Sequence, residues 1–174
     1  MSGFHLVKSC YGQWLPGDNR GSWSPGWDAQ IGFTEPHTLY PGDPVRLRMS
    51  HERMQHAPVF LTPPMIAAIA CAIGQCAQAS PWKVVAGAIE TTHLHLLLTN
   101  SDLDIDSTAK WLAQQLTKSI HKETPHRGPV WAEGKWCQYI ANNTHWQNTI
   151  AYIESHNLRH NLGARPHQAI PGWY

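Results

Sequence analysis

Two strand-like segments, 82–89 (WKVVAGAI) and 93–99 (HLHLLLT), are separated only by Glu90, Thr91 and Thr92. A link that short makes them an antiparallel hairpin. Helical segments flank the hairpin on both sides, and this arrangement restricts the fold more than any other feature of the chain. On the N-terminal side, Thr62 caps a helix that Pro63 and Pro64 open and that runs to about Ala79. Ile66, Ile69, Ile73 and Cys76 recur every three or four residues along it, and this face is expected to be core. On the C-terminal side, Asp106 or Ser107 caps a second helix that Thr124-Pro125 stops. Trp111, Leu112, Leu116 and Ile120 form its expected buried stripe, with Lys110, Lys118 and Lys122 outside it.

A short strand over 4–9 (FHLVKS) precedes this block, and a strand within 130–139 follows it. A last helix is expected over 144–161, with Gly163 as its stop. With that helix set aside the order is βαββαβ, the ferredoxin-like plan: an α+β antiparallel sheet with helices on one face. The other face is expected to be free for a site. Residues 10–60, rich in Trp, Pro and Gly, read as an ordered but irregular insertion after the first strand. The whole of 1–174 is expected to form a single domain.

Hydrophobic residues make up 42% of the chain, enough for a core, and Lys plus Arg (13) nearly balances Asp plus Glu (12). A polybasic arm or acidic tail is therefore not the functional device, and any cationic patch must be local. No two of Cys10, Cys71, Cys76 and Cys137 form a CxxC pair, which argues against a zinc ribbon or a dithiol redox site. The apolar run near 64–76 is too short to span a bilayer, and 1–8 lacks a signal-like apolar stretch. A cytoplasmic protein with no membrane association is the expectation.

Twelve histidines make a His-x-His about as frequent as chance allows, but the context of His93-Leu94-His95 is informative. Alternate strand residues face opposite sides, so the two histidines share one face and Leu94, Leu96 and Leu98 the other. Two imidazoles one pleat apart can grip one divalent cation. On the last helix, Trp146, Ile150, Ile153 and Asn157 form one stripe, and Tyr152, His156 and Arg159 an adjacent one. Tyr152 and His156, one turn apart, project together. A His pair with one further N or O ligand makes an open metal site that can polarise a phosphodiester. A nearby tyrosine can then attack phosphorus and store the bond energy as a phosphotyrosine. That chemistry suits cutting and rejoining DNA without ATP.

At these residues the chain resembles the single-tyrosine HUH transposases, close to the REP-associated tyrosine transposases. His93-Leu94-His95 matches their His-hydrophobe-His motif, 152–157 (YIESHN) their tyrosine-helix motif, and 10–21 (CYGQWLPGDNRG) a common opening of transposase-like members. The resemblance implies that Tyr152 is the nucleophile of a 5′-phosphotyrosine mechanism and that His93 and His95 bind a divalent metal, Mg²⁺ or Mn²⁺. It places the third ligand one turn after the tyrosine. There His156 stands where the family has Gln or Asn, and the helical wheel favours it over Asn157. Glu90-Thr91-Thr92 also departs from the Met-Pro-Asn of REP-associated relatives. The implied partner is single-stranded or hairpin DNA, with a homodimer possible in the family. Such DNA needs cations and stacking platforms, for which Arg20, Arg46, Arg48, Arg53, Lys110, Lys118, Lys122, Arg159, Trp14, Trp23 and Trp27 are candidates. An Asp18–Arg20 ion pair ordering the loop is the competing role for Arg20. Two other readings compete with the nicking-joining enzyme. One is a non-catalytic nucleic-acid-binding descendant of the fold; the other is a metal-dependent hydrolase that activates water.

Overall fold

The computed structural model describes residues 2–23, 27–28, 32–33, 35, 38–100, 102–167 and 169–170, with backbone alone for 23, 27 and 28. The elements run β1 (Gly3–Ser9), β2 (Ser22–Trp23), β3 (Trp27–Asp28), β4 (Gly32–Phe33), β5 (Leu39–Tyr40), α1 (Pro44–Glu52), α2 (Pro63–Gln78), β6 (Val84–Ile89), β7 (His93–Thr99), α3 (Ile105–Glu123), β8 (Trp136–Ile140) and α4 (Asn143–Arg159). The chain forms two compact units, Gly12–Val59 and the remainder.

In the larger unit, four strands form one sheet in the order β6-β7-β1-β8, and every neighbouring pair is antiparallel. The hairpin expected from its three-residue link is β6–β7. Its turn is closed by the Glu90 N–H, which donates to the His93 carbonyl at 2.8 Å. Period-two alternation sorts β7 as the sequence implies. Leu94, Leu96 and Leu98 are at most 1% exposed, on the face where α2 packs against α3 and β6. Removing each of these leucines from water stabilises the fold by about 1.5–3 kcal/mol.

Several local expectations are corrected. Met65, not Ile66, faces the core at the start of α2. Trp111 is 38% exposed, because the smaller Ala109 takes the inward place beside Leu112 in α3. That helix is capped by Asp104, whose carboxylate accepts from the Asp106 and Ser107 N–H groups. The strand sought within 130–139 is shorter: Trp131 makes a single bridge to Cys10, and β8 begins only at Trp136.

The sheet's second face was expected to be uncovered, but α4 lies over part of it. Trp146 and Ile153 of α4 form a small core with Ala86, Ala88, Leu97 and Ile140, and Ile150 packs at its edge. The apolar stripe of α4 needs such a surface, and the small side chains of β6 let the helix approach. Asn157 anchors the end of this contact, with its amide donating to the carbonyls of Gly87 and Ala164, each at 2.9 Å.

The smaller unit holds a regular element where the sequence reads as irregular: α1 has nine residues. The Asp43 carboxylate caps it by accepting from the N–H groups of Val45 and Arg46 at 2.9 and 3.1 Å, with Pro44 in the first turn. Gly17 sits at φ +90°, where a Cβ would lie 2.3 Å from the Leu47 nitrogen, so the preceding loop can touch α1 only through a glycine. In both units, no described helix is long and apolar enough to cross a membrane.

Candidate metal centre and tyrosine helix

Strand register brings the histidines together. His95 pairs with Val7 of β1 and with Ala88 of β6, and His5 pairs with Leu97. Directly opposed residues share a face, so His5, His93 and His95 all project from the side that α4 partly covers. His156 of α4 completes the group. One ligand atom each from His93, His95 and His156 can be chosen so that all lie within 4.8 Å of one another. The His95 and His156 rings are 4.4 Å apart, and His93 is 4.8 Å from His95.

Each ring is held through Nδ1. His93 Nδ1 lies 2.9 Å from the Thr92 hydroxyl, His95 Nδ1 lies 3.0 Å from His5 Nε2, and His156 Nδ1 bonds the Glu90 carboxylate. The Nε2 atoms of His95 and His156 are buried with no hydrogen-bond partner. Buried polar nitrogens without a partner are costly and rare, and two of them aimed into one cluster fit a cation held by imidazole lone pairs. Neutral imidazole is the ligating form. Burial, reinforced by His93, His156, His5 and Arg159, lowers the His95 pKa to about 2. Burial, with His156 and His145, lowers that of His5 to about 4. For Glu90, burial opposes ionisation, but the His156 hydrogen bond and the charges of His93, His156 and His160 outweigh it and hold the carboxyl below its usual range.

Tyr152 stands one turn before His156 and is half-exposed. Its ring lies 4.8 Å from that of His156, 5.7 Å from His95 and 6.1 Å from His5. Tyrosine and histidine cluster thus meet within one chain. Of the two residues the helical wheel compared, His156 faces the cluster and Asn157 faces away into the backbone contacts of the second core.

In the larger unit, the candidate cations lie on α4 and α3. Arg159, exposed on α4, is the nearest in sequence to the cluster. Lys110, Lys118 and Lys122 are exposed on α3, which packs against α2. In the smaller unit, Arg20 grips Asp18 in the expected ion pair (2.7 and 2.8 Å) and stacks 4.6 Å over the Trp14 ring. Trp14, at φ +56°, donates its indole N–H to the Gly21 carbonyl at 2.7 Å. Arg46 is buried, its guanidinium 5.5 Å over Tyr40, while Arg48 and Arg53 are exposed. The side chains of Trp23 and Trp27 lie outside the described residues.

The sequence does not single out His5, and it marks Glu90 and Thr92 only as part of a turn that departs from the Met-Pro-Asn of relatives. His5 had one weak signal, a polar residue at an inward-alternating position of a short apolar strand. Glu90 had none, because its partner is 66 residues away.

No protein-family model matches the chain, and no curated protein does. Six chains of solved structures match. One is a REP-associated tyrosine transposase bound to a REP hairpin: TM-score 0.50, 12% identity, with 99% of this chain and 69% of that one covered. The chain therefore has the fold of a tyrosine transposase, as its motifs led one to expect. Another is a protein assigned as a transposase from Deinococcus radiodurans R1: TM-score 0.46, 14% identity, 90% of each chain covered. That second likeness is too distant to carry structural detail.

Proposed function

We propose that this protein is a metal-dependent, single-tyrosine HUH enzyme, transposase-like, that nicks and rejoins single-stranded DNA on the ferredoxin-like plan. The observation that carries the reading is the meeting of Tyr152 with His93, His95 and His156 on one side of one sheet, with two buried Nε2 atoms unpartnered. These three histidines would hold a divalent ion, Mg²⁺ or Mn²⁺. When bound, such an ion polarises a phosphodiester oxygen and offsets charge on the transferring phosphoryl group.

The rest of the chemistry belongs to the chain. The Tyr152 hydroxyl oxygen attacks phosphorus and gives up its proton to solvent. As the tyrosyl O–P bond forms, the P–O3′ bond breaks, and the 3′ oxygen leaves as a protonated hydroxyl. The 5′ end stays on Tyr152 as a phosphodiester. Attack by a 3′ hydroxyl on that phosphotyrosine reverses the step and reseals DNA without ATP. Half-exposure of Tyr152 leaves a strand room to approach. The partner is single-stranded DNA beside a hairpin, a reading supported by the hairpin-bound transposase of the same fold. Arg159, Lys110, Lys118, Arg20, Arg48 and Trp14 are candidates for DNA contact.

The test is incubation with labelled hairpin-bearing oligonucleotides and Mn²⁺ or Mg²⁺. A protein–DNA adduct that survives boiling in detergent, absent in Tyr152→Phe, is the expected result. Cleavage without an adduct, undiminished in Tyr152→Phe, would overturn the tyrosine mechanism in favour of activated water. Metal-independent binding without cleavage would favour a binding module.

A further inference from the structure

We propose that Glu90 is the positioning residue that makes His156 a metal ligand, and that the Glu90–His156 pair commits the site to a transition ion of the Mn²⁺ class over Mg²⁺. This rests on the metal reading above. Glu90 follows the last residue of β6, and its N–H is bonded to the His93 carbonyl at 2.8 Å, which anchors it beside the first histidine of the cluster. Its side chain crosses to α4, where one carboxylate oxygen bonds His156 Nδ1 and the other lies 3.6 Å from His160 Nε2.

A carboxylate only accepts, so His156 Nδ1 carries the proton of this bond, and in the neutral imidazole the Nε2 lone pair is then the one left for a metal. That Nε2 is buried without a partner. A carboxylate behind a metal-bound imidazole fixes the ring, selects the tautomer and strengthens the donor. Glu90 supplies the hydrogen bond that orients the His156 ring, and the neighbouring Asn157 cannot replace His156 as a ligand, because its amide is committed to Gly87 and Ala164. Three imidazole nitrogens, one of them carboxylate-backed, suit a transition ion. Mg²⁺ prefers oxygen donors and keeps its waters.

Stripped protein would be titrated with Mn²⁺ and with Mg²⁺ by calorimetry, using wild type, Glu90→Gln, Glu90→Ala and His93→Ala. Wild type should bind Mn²⁺ at least about 10-fold more tightly than Mg²⁺. Glu90→Ala should lose about 10–100-fold in Mn²⁺ affinity, with Glu90→Gln in between. The ¹⁵N shifts of His156 in metal-free protein should report the Nδ1–H tautomer in wild type and loss of that preference in Glu90→Ala, which a merely structural role would not produce. If Glu90→Ala does not fold, Glu90→Gln carries the same comparison. Unchanged Mn²⁺ affinity and tautomer in the Glu90 variants would overturn the positioning role while leaving the metal site standing. Mg²⁺ bound as tightly as Mn²⁺ would overturn the selectivity. A wild type that binds no Mn²⁺, like His93→Ala, would overturn the metal reading itself and this proposal with it.

Discussion

His5 Nε2 lies 3.0 Å from His95 Nδ1, across the boundary between β1 and β7. The contact is diagonal, because His5 is registered opposite Leu97 and Val7 opposite His95. Like Glu90 at His156, it offers the ring support through a contact at Nδ1. Replacing His5 by Ala removes that support and should weaken Mn²⁺ binding by about 10-fold or more. Calorimetric titration of stripped protein would show it, and an unchanged affinity would mean that His95 needs no orienting partner.

The two depressed histidines predict that the metal-free protein loses stability in acid. Both fold with pKa values below the ordinary 6.5, at about 4 for His5 and about 2 for His95, with burial the leading cause in each. The unfolded chain therefore binds more protons below pH 6.5. Stability present above that pH is lost as pH falls toward 4. The share from His5 alone is about 3 kcal/mol, at about 1.4 kcal/mol per unit. Urea midpoints measured in chelator should drop between pH 7 and pH 4, and His5→Gln should flatten that slope.

Tyr152→Phe should remove covalent adduct formation while leaving stability within about 0.5 kcal/mol, because the side chain is half-exposed and the ring is kept. Thermal unfolding beside the adduct assay checks both halves. A large loss of stability would mean the hydroxyl is structural.

Asn157 and His156 are adjacent yet separable. Asn157→Ala strips the Gly87 and Ala164 carbonyls of a donor and should cost about 1–3 kcal/mol in urea unfolding. Mn²⁺ affinity should stay at the wild-type value. If it fell with His156 intact, Asn157 would be the ligand instead.

Gly17→Ala tests the smaller unit. A Cβ there meets the Leu47 nitrogen at 2.3 Å, and φ +90° disfavours any side chain. A destabilisation of about 1–3 kcal/mol is expected in thermal unfolding. A neutral result would mean the loop can move away from α1 at little cost.

The elements the sequence reveals best are those with an apolar stripe. Helices α2, α3 and α4, strand β7 and the β6–β7 hairpin each announce themselves by periodicity or by a short link. α1 does not, because the residues it buries are Arg46 and Ser50 and its stripe is polar. Only the Asp43-Pro44 cap signals it, within a stretch whose prolines and glycines argue for irregular chain. Within 130–139, Trp136 begins β8, whereas Trp131 looks like a strand residue but makes one bridge and no ladder.

Local geometry follows from sequence because it repeats every 2 or 3.6 residues. That is enough to put His93 and His95 on one face, Tyr152 and His156 on one stripe, and Asn157 on another. Tertiary structure alone decided that these two surfaces meet, that α4 covers part of the second face, and that His5 and Glu90 stand behind His95 and His156. The Glu90–His156 and His5–His95 contacts join residues 66 and 90 positions apart. Strand register and the burial of Trp146 and Ile153 set them, and no local period records either.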